Sequence, residues 1–143
     1  MAKFGAGLAL LSVLNSCAHE STRQLAPGLS DSGISRMRSF YVRQHADDDY
    51  KLGAEIATSL QEMGYRATTG SSHSPPGRVD AVFTYTDKWN WDMTMYMISL
   101  DIQLREPASD TTLATAKTLR SSLVRKSQKE MVRETLTKLL KNS

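Results

Sequence analysis

One cysteine, three histidines and no apolar run longer than about eleven residues set the first limits on this 143-residue chain. A single thiol excludes an intrachain disulfide and a cysteine-based zinc cluster. The apolar run falls well short of the roughly 20 residues that a membrane-crossing helix needs. His19, His45 and His73 stand in no recognisable hydrolytic motif, and neither Gly-x-Ser-x-Gly nor a phosphate-cradling glycine loop occurs. Asp47, Asp48 and Asp49 suggest a cation, but the glycine and distal glutamate of a calcium loop are missing. They fit better as charges at the positive end of a helix that follows. The chain is therefore read as non-enzymatic, with no catalytic residue, no cofactor and no metal.

What is present suits a globular domain: 40% hydrophobic and 23% charged residues. A chain of this length forms one domain with an adequate core. The lone cysteine, Cys17, sits behind a distinctive start. Lys3 is the only charged side chain before Glu20, and the apolar stretch from Phe4 to Leu14 shows no polar residue at helical spacing. This is the layout of a signal peptide, too short for a membrane span.

Leu14-Asn15-Ser16-Cys17 resembles the bacterial lipobox, with leucine three places before the cysteine and a small residue next to it. The resemblance implies removal of residues 1–16 and diacylglycerol on the Cys17 thiol. Two or three acyl chains give stable attachment, at about 0.8 kcal/mol for each buried methylene. Ala18 instead of aspartate after the cysteine implies, by the same resemblance, a periplasm-facing place on the outer membrane, with the inner membrane as the lesser alternative.

Residues 17–36 read as the lipidated cysteine and a flexible tether, because Ser, Gly, Pro and Ala dominate and no period holds. The folded domain is expected over 37–143. Its order is β-α-(β)-β-β-β-α, an α+β two-layer sandwich with a mainly antiparallel sheet of about four strands and two helices. Leu52, Ile56, Leu60 and Met63 mark one helix face, closed by Gly64. Tyr96, Ile98, Leu100, Ile102 and Leu104 alternate as the buried side of a long strand. Ser127 to Glu130 forms a capping box, followed by a stripe through Met131, Val132, Thr135, Leu136, Leu139 and Leu140.

The segment Tyr85-Thr86-Asp87-Lys88-Trp89-Asn90-Trp91-Asp92, running into Met95-Tyr96-Met97, with Ser121 to Val132 beyond, is similar to a family of uncharacterised small proteobacterial lipoproteins, over roughly residues 36–141. That likeness implies a fold and an address but no activity. The layout is also similar to that of envelope lipoproteins such as the lipopolysaccharide-transport subunit and penicillin-binding-protein activators.

Two surfaces stand out. On a strand, Met93, Met95 and Met97 would share a face opposite the core, with sulfurs spaced by roughly 7 Å. Together with Trp89 and Trp91 they suit a protein partner in the envelope; the alternatives are a lipid-like ligand or Cu(I), which thioethers favour. From Lys117 onward eight basic residues face two acidic ones, and Arg125, Lys126, Lys129 and Arg133 are candidates for contact with an anionic surface. Nucleic acid is set aside as a partner for an exported chain, despite a pI near 9.1.

Overall fold

The computed structural model describes residues 19–121 and 123–141; residues 1–16, read from the sequence as a signal peptide, and Cys17 lie outside them. The chain runs β1 (His19–Leu25), α1 (Asp31–Ser35), β2 (Ser39–Arg43), α2 (Leu52–Glu62), β3 (Arg66–Gly70), β4 (Ala81–Asp92), β5 (Thr94–Arg105), β6 (Thr112–Arg120) and α3 (Gln128–Lys141). The fold is α+β. One six-stranded sheet, ordered β1-β6-β5-β4-β2-β3, carries the helices on one face. Strands β4, β5, β6 and β1 are antiparallel neighbours, while β2 lies parallel to both β4 and β3.

The helix stripes read from the sequence form the core's upper half. Leu52, Ile56 and Leu60 of α2 and the six apolar or threonine positions of α3 are buried against Phe83, Leu100, Ile102 and Leu104 of the sheet. Gly64 ends α2 in the left-handed region, φ 95°, where a side chain is strained. The capping box closes in both directions: Glu130 N–H donates to Ser127 Oγ at 3.2 Å, and Ser127 N–H donates to a Glu130 carboxylate oxygen at 2.8 Å. The Ser127 N–H, helped by a hydrogen bond from the Ser127 side chain, holds the Glu130 carboxyl below its ordinary pKa. Among the aspartates it is Asp48 that caps α2, from four residues upstream. Its carboxylate accepts from Leu52 N–H at 2.7 Å and Gly53 N–H at 2.9 Å.

Three expectations are corrected. The sheet has six strands where about four were expected, and there are three helices where two were. The sheet is mainly antiparallel as expected, with β2 and β3 joining it in parallel. Most consequentially, residues 19–36 do not form a tether. They contain β1, paired along its length with β6, and α1, capped by Ser30. Ile34 enters the core at 2% exposure. Arg23 is buried as well, donating to the Leu139 carbonyl at 3.0 Å and pairing with Asp31. A strand at the sheet's edge whose inward positions run Ser21, Arg23 and Leu25 carries no apolar alternation, so composition alone reads it as a spacer.

Candidate contact surface at the hairpin end

Strand β2 pairs with β4 only at Ala81–Phe83, and β5 pairs with β6 only from Ser99 onward. Residues 89–97 therefore pair only with each other and project past the sheet as a two-stranded ribbon. Met93 stands alone at its apex, φ 60°. The register shifts between Lys88 and Trp89: Lys88 faces Ser99, but Trp89 faces Met97, leaving Ile98 as the extra residue of a bulge.

That bulge reverses the faces. Met97, 1% exposed, packs in the core with Leu100, whereas Tyr96 lies on the opposite side of the strand. The open methionine face expected opposite the core is thus not found. Met97 is interior, Met95 is 44% exposed and Met93, at the turn, is 88% exposed. With Met97 sealed in the core, the three thioethers present no common open face to Cu(I). Among the described residues, no group of three or more His, Cys, Asp or Glu side chains could hold a metal either.

The two tryptophans also part company. Trp89 is half-buried against the core, its indole N–H donating to Asp87 at 2.6 Å and its ring stacked on Tyr50 at 4.0 Å. Asp87 also faces His45 Nε2 at 3.5 Å. Behind them the Tyr85 hydroxyl donates to Asp48 at 2.8 Å, and burial beside that carboxylate pushes the phenol pKa well up, so it stays protonated. Trp91, two residues on, is 67% exposed.

The basic candidates divide likewise. Arg125 donates to Thr94 Oγ1 at 2.8 Å, to the Asp92 carbonyl at 3.0 Å and to the Asp92 carboxylate at 3.2 Å. Its guanidinium also lies 4.2 Å from the centre of the Tyr96 ring. Arg125 is thus a brace that binds the loop after β6 to the hairpin. Lys126 pairs with Glu134 at 3.7 Å, and Lys129 and Arg133 with Glu62 at 3.0 and 3.7 Å. These three line a shallow groove of about 910 Å³ beside β1, together with Ser21, Thr137 and Lys138.

By bracing the loop, Arg125 brings two residues that sequence reasoning passed over towards the hairpin. Leu123 is 90% exposed and Val124 borders on exposed. Their only signal is an apolar pair in an otherwise polar loop. Tyr50, also exposed, was missed for the same reason.

Neither a protein family model nor a curated protein matches the sequence. Solved structures of PelC share its fold. The PelC dodecamer from Paraburkholderia phytofirmans superimposes with a TM-score of 0.57 at 11% identity, covering 85% of this chain and 98% of that one. A PDZ domain protein from Parabacteroides distasonis gives 0.49 at 9% identity, over 85% of this chain and 35% of that one. A minor lipoprotein from Acinetobacter baumannii gives 0.39 at 11% identity, over 74% of this chain and 92% of that one.

Proposed function

We propose that this chain is a non-enzymatic envelope lipoprotein, anchored through Cys17 to the periplasmic face of the outer membrane, whose domain contacts another envelope component. One observation carries the reading: the sole cysteine follows a basic start and an apolar run, in a lipobox-like setting. The exposed strip of Trp91, Met93, Met95, Leu123 and Val124 supports an interaction role over a catalytic one. Strand β1 begins only two residues after Cys17, so the domain works close to its anchor.

Cell fractionation with intact-mass measurement tests the anchor. The wild type is expected in membranes with added lipid mass, and Cys17→Ser is expected in the soluble fraction. A native chain that keeps Met1 and carries no lipid sinks the reading.

A second reading makes the component another copy of the same chain. The PelC fold relative is a dodecamer, and β1 and β3 are both sheet edges here, so head-to-tail pairing has the open surfaces it needs. Native mass spectrometry from detergent decides it. Rings or higher oligomers favour self-assembly, and a monomer at all concentrations removes it.

A further inference from the structure

We propose that the apex of the β4–β5 hairpin is a second membrane contact, entering the interface of the bilayer that holds the Cys17 lipid. The proposal rests on the lipid-anchor reading and adds to it a protein element that touches lipid.

Position comes first. His19 pairs with Arg120, the last residue of β6, and Ser99 of β5 faces Leu119. The described chain therefore begins at the end of the sheet from which the hairpin projects. Five further residues separate Ile98 from Met93, so the ribbon extends about 17 Å past the row of His19, and about 10 Å to one side of it across two strand spacings. Cys17 precedes His19 by two residues, which reach at most about 7 Å even when extended. With the strands along the membrane normal, the apex thus lies at least about 10 Å deeper than Cys17. Interfacial elements bury their apolar faces by roughly 5–10 Å, so the overhang suffices to carry the apex from the head groups to the start of the acyl chains. Lipid on Cys17 brings the apex to the bilayer.

Chemistry points the same way. Trp91, Met93 and Met95 present an aromatic ring and two flexible thioether chains outward, a composition suited to a boundary that is wet on one side and apolar on the other. The only carboxylate between Trp89 and Ile98 is Asp92, and Arg125 holds it. The loop from Ser121 to Ser127 adds the exposed Leu123 and Val124 and brings no carboxylate of its own.

Fluorescence quenching tests this on the chain purified from membranes and reconstituted in vesicles of phosphatidylethanolamine and phosphatidylglycerol, with plain or brominated acyl chains. Trp89 and Trp91 are the only tryptophans. Brominated chains are expected to quench the wild type, and Trp91→Phe, a change at an exposed side chain, is expected to abolish that quenching. Intact mass of the same sample reads the anchor separately. Lipid on Cys17 with equal emission in both vesicle types overturns the apex contact and leaves the anchor standing. Quenching that survives Trp91→Phe also overturns it, by placing the contact at Trp89. A blue-shifted Trp91 that bromine does not reach, and that reddens on dilution, assigns the apex to a second copy and overturns the proposal. A native chain without lipid overturns the anchor, and this inference with it.

Discussion

The two ends of the β4–β5 hairpin are built from the same two strands and behave as different materials. At the base, Phe83, Tyr85, Leu100, Ile102 and Leu104 are sealed beneath α2 and α3. At the apex of the same hairpin, Trp91 and Met93 face solvent. Apolar content does not separate the two ends. What separates them is whether neighbouring strands continue alongside, and the bulge at Ile98 marks the border. A sheet strand that outruns its neighbours becomes a surface feature whatever its hydrophobicity.

The sharpest way to test that contrast is to truncate one aromatic ring at each end. Phe83→Ala should cost about 3–5 kcal/mol, because the ring is fully buried and its cavity cannot collapse. Trp91→Ala should stay within about 0.5 kcal/mol. Urea unfolding of both variants reads the difference, and equal midpoints would erase the distinction between base and apex.

A closer pair, on one face of β5, probes where the core's cover ends. Met97→Ala is expected to lose about 3 kcal/mol, against less than about 0.5 kcal/mol for Met95→Ala, two residues away. Near-equal losses by the same unfolding measurement would mean that the border of the core does not fall between the two.

The smallest effect concerns acid. Asp80 accepts from the N–H groups of Arg38 and Ser39 at 2.7 and 3.0 Å, and Asp110 pairs with Arg43 at 2.9 Å, all at the end away from the apex. Both carboxyls are held below their ordinary pKa, Asp80 chiefly by the backbone N–H of Arg38 and Asp110 chiefly by Arg43. A carboxyl depressed in the folded state contributes stability above its unfolded pKa, and that stability is lost as pH falls through the folded value. Asp80→Ala should therefore remove about 1 kcal/mol at neutral pH and flatten the acid limb of the stability curve. Unfolding midpoints from neutral to acidic pH check this; an unchanged acid limb would show that these bonds are not retained in solution. Asp101 works in the opposite sense, since burial raises its pKa, so folding gains as that carboxyl protonates.

Helices α2 and α3 were legible in the sequence because their period, caps and stop residues all agree: Leu52 to Leu60, Gly64, and Ser127 with Glu130. Strand β1 was not. Its sequence His-Glu-Ser-Thr-Arg-Gln-Leu places Arg23 under the helix layer through hydrogen bonds that only the folded neighbours supply. The bulge was hidden for the opposite reason. Tyr96, Ile98 and Leu100 alternate without a break, so the pattern runs straight through the point where the backbone changes face. Of the candidate surface, Trp91, Met93 and Met95 were found by composition, while Trp89, Met97 and Arg125 proved to be structural supports.

The pairing of β1 with β6 also sets an order of events during synthesis. The first strand of the sheet has its only ladder partner about a hundred residues downstream, so it stays single until nearly all of the chain has been made. The leader proposed for residues 1–16 would be followed by a stretch that cannot lock early. Slow closure of this kind keeps a nascent chain threadable, which is the condition that passage through a narrow translocation pore imposes.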